Sequence, residues 1–131
     1  MERMLAALKA LADRNRLRIV AALDGADELC ACQITGLLAV TGATVSRHLA
    51  VLERAGLVNK RRAGRWIWYR LAAAPRYEDL LIWLRRATAG DRRLAADRKT
   101  LAKIRAVDPA DYCRLQRGNA DTACARTEKN R

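Results

Sequence analysis

The apolar residues of this chain change their spacing once, and that change limits the fold more than any other feature. Up to Ala55 they recur every three or four residues, as on helices that bury one face. From Leu57 to Leu71 they alternate, as on strands. Helical spacing then resumes. Several short helices around a single hairpin leave no room for a β-sandwich or a doubly wound sheet. Composition agrees: hydrophobic residues make up 51% of the 131, aromatics are few and Phe is absent. Such a core is built from Leu and Ala on helices.

Leu5, Leu8 and Leu11 form a first stripe. Asp13 can cap a second helix presenting Leu17, Val20 and Ala21, which Asp24-Gly25 stops. Ile34, Leu37 and Leu38 mark a third, barely two turns long. Thr41 is placed to cap a fourth running to about Ala55, with Val45, Leu49 and Leu52 inward and Gly56 just past its end. Leu57 to Arg62 and Arg65 to Leu71 flank Ala63-Gly64 as a hairpin. Pro75 opens a fifth helix with Tyr77, Leu80, Leu81 and Leu84 in register, and a sixth spans Asp91 to Ala106. Residues 1–106 are therefore expected as one domain and 107–131 as a polar, basic, loosely ordered tail.

Lys and Arg number 26 against 14 Asp and Glu, a formal charge of +12. So large a surplus on a small body favours a polyanion partner. No apolar run approaches the ~20 residues that span a bilayer. The N-terminal MERMLAALKALADRNRL is charged throughout, unlike a signal peptide. No membrane association and a cytoplasmic location are expected, with the four cysteines reduced.

A short helix, a tight turn, a second helix and a basic hairpin make the order of a winged helix-turn-helix. Core positions apart, the fourth helix offers Thr44, Ser46, Arg47, His48 and Arg54 to a groove of double-stranded DNA. Lys60, Arg61, Arg62 and Arg65 concentrate charge at the hairpin tip, where phosphates or a minor groove would meet it. Trp66 and Trp68 read as packing residues. His48 lies one turn from Val45, so it either borders the core or reaches DNA.

Cys30 and Cys32 stand at the entrance to the third helix. Residues two apart point roughly 200° from each other around an α-helix, so their sulfurs converge on one ion only if the first turn is irregular or unwinds. Thiolates select soft ions, and a helix N-terminus favours the deprotonated sulfur. The same residues also read as small buried hydrophobes.

The blocks ALADRNRLRIVAAL, ELCACQI, TVSRHLAVLERAGLV and RRAGRWIWYRL resemble, in order, those of the arsenic-repressor (ArsR–SmtB) metalloregulators. The resemblance covers about residues 5–90. It implies a mainly α winged helix-turn-helix homodimer that binds operator DNA and leaves it when a metal or metalloid binds. It also implies that the first and fifth helices form most of the dimer interface, and that Cys30 and Cys32 belong to the inducer site. Arsenite and antimonite take three thiolates, and a third cysteine often follows the pair in such sensors; Ile34-Thr35-Gly36 offers none here. Cys113 is the expected third ligand, with Cys124 the second choice, on the same or the partner subunit. No cofactor is needed for DNA binding.

A cadmium, lead or zinc sensor with the same block is the alternative within the family. It would draw cysteines from ahead of Cys30, where there are none, and His48 is the only histidine for a zinc site of the other kind. A thiol redox regulator that forms a disulfide is the alternative outside metal sensing. The sequence lacks a Cys-x-x-Cys on an α/β frame, a phosphate-binding glycine loop and a nucleophile–histidine pair, so no enzyme is expected.

Overall fold

The computed structural model describes residues 1–73 and 77–119, with side chains to 116. Pro75 and Cys124 lie outside the described residues. Among the described residues, seven helices and three strands follow the order α1 (Glu2–Leu11), α2 (Arg14–Gly25), β1 (Leu29–Cys30), α3 (Ala31–Leu38), α4 (Gly42–Arg54), β2 (Val58–Ala63), β3 (Trp66–Leu71), α5 (Glu78–Ala87), α6 (Arg92–Arg105) and α7 (Pro109–Asn119). The starts of α2, α4 and α6 are set by side-chain caps that satisfy otherwise orphaned N–H groups. Asp13 Oδ1 accepts from Arg16 N at 3.0 Å, Thr41 Oγ1 from Thr44 N at 3.2 Å and Asp91 Oδ1 from Leu94 N at 2.9 Å.

The core joins α2, α3, α4 and the sheet. Ile19, Leu29, Ile34, Leu49 and Leu52 are fully buried in it, with Val20, Val45 and Val58 beside them. Leu17 and Ala21 are only partly buried; Ile19 and Leu23 take the inward positions of α2. The hairpin pairs Val58 with Leu71 through to Ala63 with Trp66, and Gly64 (φ +61°) supplies the left-handed residue its tight turn requires.

Two features depart from the sequence reading. The hairpin gains a third strand, because Leu29 and Cys30 pair antiparallel with Tyr69 and Trp68 and give the order β1-β3-β2. Residues 109–119 are not loose: they form α7, which packs on α3. Their polarity hid this, since Cys113 is the side chain among 109–116 that is fully buried, with Tyr112 and Gln116 half-buried beside it. The Leu5 and Leu8 stripe of α1 faces solvent at 41% and 47% exposure, while Ala7 and Ala10 are buried. No single helix among the described residues is long and apolar enough to cross a membrane.

A buried ion pair holds the C-terminal helices to the rest. Arg18 of α2 donates to Asp97 of α6 through Nε at 2.8 Å and Nη2 at 3.0 Å, and Nη2 also reaches the Leu37 carbonyl of α3 at 3.3 Å.

Candidate functional site

Helices α3 and α4 meet at 110° across Ala39, Val40 and Thr41. That angle is the geometry of a helix-turn-helix. Ala39 makes the turn in the left-handed region at φ +56°, and its N–H closes α3 on the Thr35 carbonyl. Burial of Val45, Leu49 and Leu52 leaves Ser46, Arg47 and Arg54 exposed on the outer face of α4. Thr44 is half-buried, its hydroxyl 2.9 Å from that of Thr41 and within 3.4 Å of Arg47 Nη2. His48 turns toward the start of α2, with Nδ1 3.4 Å from Arg16 Nη1 and 3.9 Å from Asp13 Oδ1. Burial works to raise the Asp13 carboxyl, but the Arg16 backbone N–H and the charges of His48 and Arg16 hold it below the usual range.

The four wing cations are exposed, yet two of them are engaged within the chain. Arg61 grips Glu28 in a fork, Nε at 2.6 Å and Nη2 at 2.8 Å, and its guanidinium lies 5.8 Å from the Trp68 ring centroid. The Arg61 hydrogen bond holds the Glu28 carboxyl below its ordinary range. Lys60 stands 3.6 Å from Glu53 at the end of α4. Arg62 and Arg65 flank the Gly64 turn. Neither Glu28 nor Glu53 belongs to the hairpin, so its sequence does not signal this engagement.

On the far side of α3 lies the sulfur cluster. Cys30, Cys32 and Cys113 are buried together, and Trp66, Trp68 and Tyr112 pack around them. Unwinding is not needed to bring the first two together, contrary to the expectation from helical geometry. Cys30 is not on the helix: it ends β1 as the N-cap of α3, extended at φ −85° and ψ 163°. The helix begins only at Ala31, so the 200° rule does not govern the pair. A capping box fixes the entrance, with Gln33 Oε1 accepting from Cys30 N at 3.0 Å.

Cys32 and Cys113 are joined as a disulfide with their Cα atoms 5.5 Å apart, where the sequence pointed to reduced thiols. The docking of α7 on α3 brings two sulfurs distant in sequence side by side. With that bond closed, no trio of His, Cys, Asp or Glu side chains among the described residues is set out to hold a metal ion. Reduction would leave Cys30, Cys32 and Cys113 as three buried thiols in one cluster. Burial pushes the Tyr112 phenol up, the Gln116 amide draws it back, and the Cys30 sulfur pushes it up again.

Sequence reasoning missed Gly36 and Tyr112 as the α3–α7 contact, and Glu28 as the partner of Arg61. A glycine inside an otherwise good helix was the one available signal for the first.

Residues 13–60 match the family model described as bacterial regulatory protein, arsR family. The arsenic resistance transcriptional regulator ArsR1 of Pseudomonas putida is 39% identical over 75 residues, 56% of this chain and 59% of that protein. The cadmium resistance transcriptional regulatory protein CadC of Listeria innocua is 43% identical over 61 residues, 47% of this chain and 51% of that one. The chain thus spans between about half and three-fifths of the length of these curated relatives. Among solved structures, HlyU of Vibrio cholerae superposes with a TM-score of 0.60 at 30% identity, covering 67% of this chain and 94% of that one.

Proposed function

The chain belongs to the arsR family of bacterial regulatory proteins, and from that membership we propose that it is an arsenite- or antimonite-responsive transcriptional repressor. It binds operator DNA as a cytoplasmic homodimer through Thr44, Ser46, Arg47, His48 and Arg54 of α4 and Lys60, Arg61, Arg62 and Arg65 of the wing. It is released when Cys30, Cys32 and Cys113 ligate the ion. The observation that carries this reading is the gathering of those three cysteines, from β1, α3 and α7, into one buried cluster. A pyramidal ion with a lone pair needs three thiolates and no fourth donor. Trp66, Trp68 and Tyr112 cover the cluster with aromatic surface, which offers a tetrahedral zinc or cadmium ion poor completion.

Release follows from what the thiols adjoin. Cys32 lies in the first turn of the helix that supports α4, and Cys30 pairs with Trp68 of the wing strand. An ion drawing both sulfurs toward Cys113 shifts the two DNA-contacting parts against each other. An allosteric coupling of about 1–3 kcal/mol lowers operator affinity some 5- to 150-fold. The test is an operator-binding titration with arsenite, antimonite, cadmium, zinc and peroxide on the parent and on Cys30→Ser, Cys32→Ser and Cys113→Ser. Arsenite should release the parent and fail to release the variants; variants that respond like the parent refute the assignment.

The Cys32–Cys113 disulfide favours a second reading, a thiol redox regulator. Hydrogen peroxide would take one hydrogen from each thiol, so that the S–S bond forms and the oxidant leaves as two waters. Release by peroxide without arsenite, abolished by Cys113→Ser, would select it.

A further inference from the structure

Cys113 lies 81 residues beyond Cys32, so the docking of α7 decides whether the two sulfurs meet. At one point of that docking, side chains of α7 reach the backbone of α3. A Cβ on Gly36 would stand 1.8 Å from Tyr112 Oη, 2.8 Å from Tyr112 Cζ and 2.6 Å from Gln116 Nε2. Glycine inside a helix costs about 1 kcal/mol relative to alanine. At Gly36 it leaves a notch in α3 that the hydroxyl end of the Tyr112 ring enters. The ring packs against the main core and against the sulfur cluster at once. Asp108 starts α7 by accepting from Ala110 N at 3.0 Å, which sets the helix only four residues ahead of the ring.

We propose that Tyr112 is a positioning residue for the sulfur site: wedged into the Gly36 notch, it fixes α7 on α3 and delivers Cys113 to Cys30 and Cys32. A ring locked in a notch fixes both the height and the rotation of its helix. The next residue, about 100° further round, then has one place to go. The consequence for metalloid binding rests on the function proposed above; the delivery of the sulfur does not.

Two measurements on the full chain separate these. In a Cys30→Ser/Cys124→Ser background, oxidised glutathione drives Cys32–Cys113 closure, each thiol losing a hydrogen as the reagent becomes two reduced glutathiones. Loss of docking lowers the effective concentration of Cys113, so Tyr112→Ala and Gly36→Ala should slow closure about tenfold or more, and Tyr112→Phe by no more than about twofold. In the chain with its native cysteines, arsenite should protect Cys30, Cys32 and Cys113 from a thiol reagent, as it should in Tyr112→Phe. In Tyr112→Ala, Cys113 should remain reactive. Leu49→Ala, which loosens the core away from the notch, serves as the control for general destabilisation.

Closure at the parental rate in folded Tyr112→Ala overturns the proposal. Equal slowing in Leu49→Ala overturns it as well, and should Gly36→Ala fail to fold, Tyr112→Leu replaces it under the same criterion. If arsenite protects no thiol in the parent, the proposed function falls while the closure rates still judge Tyr112.

Discussion

Arg18 and Asp97 are charged side chains only 9% and 6% exposed, and they pair there, with the more exposed Arg93 also 3.3 Å from Asp97. Removing one leaves an uncompensated buried charge, which costs about 3–5 kcal/mol, while replacing both by apolar residues of similar size costs much less. Chemical denaturation of Asp97→Ala should show that loss, and Arg18→Met/Asp97→Leu should recover most of it. The Glu28–Arg61 pair is of the opposite kind, exposed and of small worth to stability. Its interest is competition. A phosphate must displace Glu28 to reach Arg61, so Glu28→Gln should steepen the salt dependence of operator binding by up to about one unit of log–log slope. Acid should imitate the substitution. The Glu28 carboxyl is held below its ordinary range, so the pairing is fully present above roughly pH 4 and is lost as pH falls through the lowered value. Monitoring Trp68 fluorescence through that acid range, in the parent and in Glu28→Gln, checks it. The parent should show a transition that the variant lacks.

Among the elements, α3 is the one whose two ends are handled differently. Its start is borrowed from the sheet: Cys30 belongs to β1 and caps the helix through the Gln33 box. Its finish is strained, since Ala39 occupies a left-handed conformation at φ +56° that favours glycine. Ala39→Gly should therefore stabilise the protein by about 1 kcal/mol, a rise of a few degrees in Tm, without altering the 110° turn. A lower Tm would mean that Ala39 makes contacts worth more than its strain. The caps on α2 and α4 were legible because Asp13 and Thr41 each precede a periodic apolar run, whereas Asp91, expected inside the sixth helix, caps α6 instead. Helix α7 was not legible. Tyr112 and Cys113 supply too little periodicity, and the helix exists as packed structure only because Gly36 leaves room for it.

At the scale of the molecule, helices α1 and α5 carry apolar surface that the described residues leave uncovered. Met4, Leu5 and Leu8 of α1 are exposed, and so is Trp83 of α5, a helix with no fully buried residue of its own. The proposed homodimer covers this surface and doubles a charge of +12 per chain. Leu8→Glu combined with Trp83→Glu should yield a folded monomer by sedimentation, because residues 47% and 61% exposed contribute little to the core. Operator affinity should collapse in step, since two half-sites can no longer be held together. A variant that remains dimeric would move the interface elsewhere.

The sequence by itself determined the order of the first six helices, the hairpin, the capped starts and the cationic outer face. These follow from spacing and from side chains acting on their immediate neighbours, and so they are written locally. Only the tertiary structure decided that β1 joins the wing, that Glu28 engages Arg61, that Arg18 and Asp97 pair in the interior, and that Cys113 lies against Cys32. Each joins residues 33 to 81 positions apart. Such contacts depend on how closely two surfaces approach, and a missing methyl group on Gly36 governs that approach as much as any residue that is present.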